Sequence, residues 1–324
     1  MTTRKITLSA AALLMAAAFA GCSGNTTSAS SNSSSAAEAG SSAADTSAAD
    51  SSAADSTASD STASKLDTDI TVVSREDGSG TRGAFVELMG IEQKNEAGEK
   101  IDHTVETAEI TDSTSVMMQT IAGNSAAIGY ISLGSLNDTV KAVQVDGVAP
   151  TTDSVKDGSY AIARPFNIAV KGEPTPLAQD LIDFILSAEG QAIVAEDYVT
   201  IADDAPAFAG ALPEGSITIS GSSSVYPLME KLVEAYQVLN PNANISLQSS
   251  DSTSGMNDAM SGVAQIGMAS RALKDSESAE LTGIQIAMDG IAVIVHPDNE
   301  VENLTLEQLK SIFTGEITQW SQLA

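Results

Sequence analysis

Cysteine is all but missing from this chain, with one residue, Cys22, in 324. That excludes a disulfide framework and any metal or redox site built on several thiolates. Histidine is nearly as scarce: His103 and His296 are the only two, and with His296 before Pro297 at a strand end they read as a surface residue and a strand-end residue rather than a base or metal pair. Aromatic residues make up 4%. Cations are few as well, 15 Lys and Arg against 43 Asp and Glu, for a formal net charge of -28. Nucleic acids and anionic lipid surfaces need a basic footprint, so neither is expected as a partner. Catalytic signatures are also wanting. There is no G-x-x-x-x-G-K-[ST], no G-x-S-x-G, no H-E-x-x-H and no EF-hand loop. Gly78, Gly80 and Gly83 fit G-x-G-x-x-G. However, Arg75-Glu76-Asp77 separates the preceding strand-like run from the first glycine, and no second strand ends in an acid at the expected distance, so a dinucleotide is not expected. With no nucleophile–base pair and no metal cluster in view, the chain is expected not to be an enzyme and to need no cofactor or metal.

What the chain does have begins with its amino terminus. Arg4 and Lys5 precede an apolar run over residues 6–20, followed by Gly21 and Cys22. A basic start, a short apolar stretch and small residues at its end make a secretory signal over residues 1–22, too short to span a membrane comfortably. Phe19-Ala20-Gly21-Cys22 resembles a bacterial lipobox, which makes Cys22 the expected lipidation site, modified with fatty acid such as palmitate. Residues 25–64 contain no Leu, Ile, Val, Met, Phe, Tyr or Trp, and a Ser/Ala pattern repeats up to Asp45, Asp50, Asp55 and Asp60. Such a stretch cannot bury enough apolar surface to offset chain entropy, so residues 23–65 are expected to form a disordered tether. At random-coil scaling it would span roughly 35 Å. Anchor and tether together place the rest of the chain outside the cell, on the outer face of the membrane.

From residue 66 onward, strand-like and helix-like stretches alternate. Residues 70–74, 126–132, 165–170, 217–220, 245–248, 266–269, 284–288 and 291–295 read as strands. Helical spacing recurs over 82–89, 113–122, 177–185, 225–236 and 306–313, the last capped by Thr305. The alternation argues for an α/β fold with mostly parallel sheets flanked by helices.

Three loops share one design. Asp77-Gly78-Ser79-Gly80-Thr81, Gly221-Ser222-Ser223-Ser224 and Ser252-Thr253-Ser254-Gly255 each follow a strand and open a helix. Free N–H groups and the helix dipole there attract an anion, hydroxyls add donors, and glycine lets the backbone come close. After the signal only Arg75, Arg82, Arg164 and Arg271 remain as arginines. Two bracket the first loop, and Arg271 follows the strand at 266–269. A guanidinium suits an oxyanion better than an ammonium does. An oxyanion-binding protein is therefore expected.

Arg75-Glu76-Asp77-Gly78-Ser79-Gly80-Thr81-Arg82 resembles the signature loop of the PstS family, the phosphate-binding proteins of bacterial ABC transporters. Ala127-Ile128-Gly129-Tyr130-Ile131-Ser132, Pro165-Phe166-Asn167 and Phe313-Thr314-Gly315-Glu316-Ile317 resemble the same family, as do residues 221–227 and 266–271. The resemblance implies a two-lobed type II periplasmic-binding-protein fold, each lobe an α/β layer structure, closing on an oxyanion. The order of segments is exchanged: the half that comes second in the family stands first here. That implies a circular permutation with residues 202–215 as the new connection. By the same analogy one lobe would comprise residues 66–162 plus 296–324, and the other residues 163–295.

Carried over by position, the resemblance implies that Arg75, Ser79, Gly80 and Thr81 bind phosphate from one lobe. Ser223, Ser224, Ser252 and Thr253, with Ser270 nearby, would bind it from the other, and Asp77 would orient Arg75. Some family members have an Asp where this chain has Arg271, and there it accepts a phosphate proton. Arg271 is expected either to act as an extra cation favouring the dianion or to point away from the cleft. The implied function is a monomeric, extracytoplasmic, lipid-anchored protein that captures inorganic phosphate and delivers it to an ABC permease. A phosphate-sensing or surface-binding role without transport is the alternative.

Overall fold

The computed structural model describes residues 68–323, so the expected signal, lipobox and tether lie outside the described residues. Its strands are β1 (Thr71–Arg75), β2 (Glu92–Lys94), β3 (Lys100–Asp102), β4 (Glu109–Thr111), β5 (Ala127–Ser132), β6 (Lys141–Ala142), β7 (Gln144–Val145), β8 (Ala163–Lys171), β9 (Gly215–Ser222), β10 (Ala243–Ser250), β11 (Ile266–Ala269), β12 (Leu281–Val295) and β13 (Asn303–Leu304). Its α-helices are α1 (Gly80–Leu88), α2 (Thr114–Gly123), α3 (Thr152–Lys156), α4 (Pro176–Ile185), α5 (Ala188–Asp197), α6 (Tyr226–Leu239), α7 (Ser252–Ser261), α8 (Asp275–Ser278) and α9 (Leu306–Phe313).

Local chemistry explains most boundaries. Thr175 caps α4 by accepting the Ala178 N–H, and Pro176 takes the first turn, where its missing N–H costs nothing. Leu177, Leu181, Ile182 and Ile185 then fall on one buried face. Thr305 and Gln308 form a capping box on α9, which buries Leu309, Ile312 and Phe313. Ser79 caps α1 through the Arg82 N–H, so that helix starts at Gly80, two residues before its apolar periodicity does.

Eight strands run in the order β10-β9-β11-β8-β12-β5-β1-β4, with β6 added beside β12. The pairs β1–β4, β1–β5, β9–β10 and β9–β11 are parallel; β8 runs antiparallel to β11 and β12, and β12 antiparallel to β5. Residues 284–288 and 291–295, expected as two strands, belong to one 15-residue strand. Asp289 does not break it because its carboxylate is buried and paired with Arg164 across the ladder. The first part of β12 pairs with β8 and the last part, from Ile291, with β5.

Two smaller apolar clusters and two large apolar cores follow from this arrangement. Phe166, Leu181, Ile219, Leu232, Met268 and Ile286 lie in one. Phe85, Tyr130, Val293, Ile312, Phe313 and Trp320 lie in the other, where the Phe85 and Tyr130 rings stack at 4.1 Å. β12 contributes to both large cores, and the loops with the expected anion donors open from β1 on one side of the β8-β12-β5 centre and from β9, β10 and β11 on the other.

Candidate anion-binding site

Arg75 ends β1 and is buried, 1% exposed. A desolvated guanidinium needs acceptors on every edge. Glu76 supplies two, with Nε to Oε2 at 2.7 Å and Nη2 to Oε1 at 2.8 Å. The other edge turns toward hydroxyls: Nη2 donates to Ser223 Oγ at 3.1 Å and Nη1 to Thr114 Oγ1 at 3.5 Å. Behind Arg75, its backbone N–H donates to the Tyr130 hydroxyl, which also pairs with Ser74 Oγ at 2.8 Å. Burial pushes the Tyr130 phenol up to about 12, so it stays protonated at neutral pH.

The three expected loops meet here. Thr81 Oγ1 lies 2.8 Å from Ser224 Oγ. Ser252 Oγ accepts the Ser270 N–H at 3.1 Å and lies 3.4 Å from Ser270 Oγ. Gly80 sits directly against this pair: a Cβ on it would fall 2.3 Å from Ser252 Oγ and 2.7 Å from Ser270 Oγ. Only a residue without a side chain permits that approach. Thr253 donates through N and Oγ1 to the Gly78 carbonyl, at 3.2 and 3.1 Å. Arg75, Ser79, Gly80, Thr81, Ser223, Ser224, Ser252, Thr253 and Ser270 therefore share one small region.

A fourth helix joins them. Thr114, the first residue of α2, is buried and places Oγ1 3.4 Å from Ser223 Oγ and 3.2 Å from Ser224 Oγ. From the sequence, residues 113–122 read only as helix; the signal that points to Thr114 is the hydroxyl-rich run Thr111-Asp112-Ser113-Thr114-Ser115 at its start. Four helix N-termini, those of α1, α2, α6 and α7, thus face one another. Ser79, Ser113 and Asp251 cap three of them, whereas α6 has no side-chain cap. Uncapped N–H groups and aligned dipoles favour negative charge at that point.

Two sequence expectations need correction or placement. Asp77 does not orient Arg75: its carboxylate is fully exposed and pairs with Arg82 at 2.9 Å, and Glu76 holds Arg75 instead. The reason is the turn at Gly78, where φ of +92° carries the chain away just after Asp77. Arg271 is not aimed at Arg75's hydroxyls. It pairs with Glu277 at 2.7 Å and donates to Thr253 Oγ1 at 3.2 Å. Ser79 and Thr253 of the cradle, with Arg82, Arg164 and Arg271, border a groove of about 880 Å³. Among the described residues, no cluster of three or more His, Cys, Asp or Glu could hold a metal ion, and no helix is long and apolar enough to cross a membrane.

Known proteins resemble this chain in sequence and in fold. The family described as "PBP superfamily domain" matches residues 59–189 and 206–324. The "Phosphate-binding protein PstS 2" of Streptococcus agalactiae is 49% identical over 257 residues, which cover 79% of this chain and 88% of that protein. A crystal structure of a phosphate ABC transporter, phosphate-binding protein from Streptococcus pneumoniae TIGR4 is 42% identical and aligns with a TM-score of 0.64, over 79% of this chain and all of that one. The "Phosphate-binding protein PstS" of Bacillus subtilis matches over a shorter stretch, 36% identical across 112 residues, or 34% of this chain and 37% of that protein. By the matched span, the identity and the shared fold, the chain belongs to the PBP superfamily and, within it, to the family of PstS-type phosphate-binding proteins.

Proposed function

We propose that this chain is an extracytoplasmic solute-binding protein that captures inorganic phosphate in the cradle around Arg75 and hands it to an ABC import permease. One observation carries the reading: four helix N-termini and a ring of Ser and Thr hydroxyls converge on a single buried guanidinium. An anion held there meets many fixed donors in a region shielded from water, where each donor counts for more than at the surface. Nothing in the ring is placed as a nucleophile beside a base, which favours capture over bond-breaking. The named functions of the relatives point the same way.

Cys22 is then the lipid-attachment point, residues 1–22 the signal and residues 23–65 the tether, with the binding unit acting as a monomer. We place one lobe at residues 66–162 with 291–324 and the other at residues 163–290, since Ile291, Val293 and Val295 of β12 pack with Phe85 and Tyr130, and the two close over the anion. The order of the two halves is a circular permutation of the one that the family resemblance implies. The match to the Bacillus subtilis protein over about a third of each chain, beside a nearly full-length match to the Streptococcus agalactiae protein, supports that reading. So does the meeting of the two ends of the described chain, where the Ile70 N–H donates to the Thr318 carbonyl at 2.7 Å and the Trp320 N–H to the Thr68 carbonyl at 3.2 Å.

Isothermal calorimetry with inorganic phosphate tests the function. The purified protein should bind with a one-to-one stoichiometry, and Arg75→Ala should weaken binding by about 100-fold or more, the usual cost of removing one member of a buried charged pair. An absence of phosphate binding by the folded wild-type protein would sink the proposal.

A further inference from the structure

Arg271 follows Ser270 after β11, and the sequence leaves its purpose open. Four of the five N–H donors of its guanidinium are engaged. Nη1 and Nη2 bind the two Glu277 oxygens at 2.7 and 2.8 Å, Nη1 also donates to the Ala272 carbonyl at 3.0 Å, and Nη2 donates to Thr253 Oγ1 at 3.2 Å. Glu277 is fixed in turn: it is 3% exposed and its Oε2 accepts the Lys274 N–H at 2.8 Å. Arg271 is thus a bracket: Glu277 and the Ala272 carbonyl hold three of its donors, and a fourth is aimed at a threonine.

Thr253 reaches in the opposite direction. Its N–H and its hydroxyl both donate to the carbonyl of Gly78, in the loop between β1 and α1. The loop rests directly on the N-terminus of α7, because a Cβ on Gly78 would lie 2.5 Å from Asp251 Oδ1. Glu277, Arg271, Thr253 and Gly78 therefore form an unbroken series of contacts from α8 to the loop that carries Ser79 and Gly80. A threonine hydroxyl has a single proton. Receiving a hydrogen bond from Arg271 fixes the lone-pair side of Thr253 Oγ1, and its proton goes across to Gly78. No proton of that hydroxyl is left for an anion while this contact holds.

We propose that Arg271 is a positioning residue: it sets Thr253 as a latch that closes the loop after β1 onto α7, and it does not touch the bound anion. The ligand in this proposal rests on the phosphate reading of the cradle, whereas the latch itself does not. Contacts made only on closure slow dissociation and leave association nearly unchanged. A cation that met or attracted the anion would instead speed association in a salt-dependent way.

Stopped-flow kinetics with inorganic phosphate separates these roles, and amide hydrogen exchange at Thr253 gives a readout that needs no ligand. Arg271→Gln and Thr253→Val should each raise koff by about tenfold, the worth of one well-placed hydrogen bond, with kon within about twofold. The double variant should be no worse than the poorer single one, because both changes break the same series of contacts. Arg271→Lys, which keeps a donor but loses the fork, should fall between. Without phosphate, Arg271→Gln should speed exchange of the Thr253 amide, whose partner is the Gly78 carbonyl. The latch is overturned by a salt-dependent fall in kon for Arg271→Gln, by additive losses in the double variant, or by unchanged exchange at Thr253. If the wild-type protein binds no phosphate, the functional proposal fails, while the exchange measurement still decides the latch.

Discussion

At the scale of single residues, the site is a problem in donor supply. Arg75 already spends Nε and one Nη2 hydrogen on Glu76, so only the Ser223 and Thr114 side of its guanidinium faces the cradle. An anion arriving there displaces hydroxyl–hydroxyl contacts that are individually weak and gains contacts to a charge, which are roughly twice as strong. Thr114 is a direct test of this picture, since its hydroxyl completes the side that Arg75 leaves open. Thr114→Val keeps the shape and removes the donor; phosphate affinity should fall by about tenfold with little change in the thermal midpoint. Calorimetry beside thermal denaturation checks both halves, and an unchanged affinity would place Thr114 outside the site. That Arg75, Ser79 and Gly80 would stand together at one turn was legible from the sequence, because few other reasons explain an arginine beside a glycine–hydroxyl turn in so acidic a chain. Thr114 was hidden by its resemblance to an ordinary cap. The exchange of roles between Glu76 and Asp77 was hidden too: adjacent carboxylates differ only in direction, which the backbone turn at Gly78 decides.

Among the elements, β12 does the most to join the two cores, and its middle holds a buried ion pair. Arg164 and Asp289 face each other on β8 and β12 with side chains 1% and 0% exposed, Nη2 to Oδ2 at 3.0 Å. Ser132 Oγ, at the end of β5, donates to Asp289 Oδ1 at 3.0 Å, so one carboxylate touches three strands. Arg164 Nη1 remains buried without a partner. Burial pushes the Asp289 carboxyl up to about 6 despite the opposing pull of Arg164, Ser132 and the Gly134 N–H. A carboxyl whose folded value lies above its unfolded one favours the fold at low pH. Its contribution is fully present below about 4 and is lost as pH rises through about 6. Two units correspond to ~3 kcal/mol. Asp289→Asn cannot titrate, so the stability of the wild type relative to this variant should decline between pH 4 and pH 7. Chemical denaturation across that window measures it, and a constant offset between the two proteins would show that Asp289 does not titrate there. The sequence hid this element because an aspartate beside a glycine reads as a break; only pairing across the sheet with Arg164 makes it a strand. Helix α5 was missed for a related reason: Ala, Glu and Gly fill much of Ala188–Asp197, so it carries little apolar periodicity, and its place is set by packing of Val194 and Gln191.

For the molecule as a whole, two features looked contradictory in the sequence and are reconciled by position. A formal charge of -28 argues against anionic polymers, which meet the surface, but says little about a small anion in a shielded cradle. At about 0.1 M salt the Debye length is roughly 10 Å, so surface carboxylates are largely screened there, while donors in contact are not. The proposed exchange of the two halves has a similar resolution. What the fold requires is that β1, β9 and β11 deliver their loops to one point, and that depends on which strands pair rather than on which is made first. Since residues 68–70 lie beside residues 318–320, those two ends can be joined with a short Gly/Ser linker, and the exposed Asp203–Asp204 bond can become the new ends. Such a relinked chain keeps every strand pair and every cradle residue while restoring the other order. It should fold and bind phosphate within about threefold of the wild type, as expected where domain ends lie close together at the surface. Circular dichroism establishes the folding and calorimetry the affinity. A relinked protein that folds but binds phosphate far more weakly would mean that the order of the halves, and not only their packing, shapes the site.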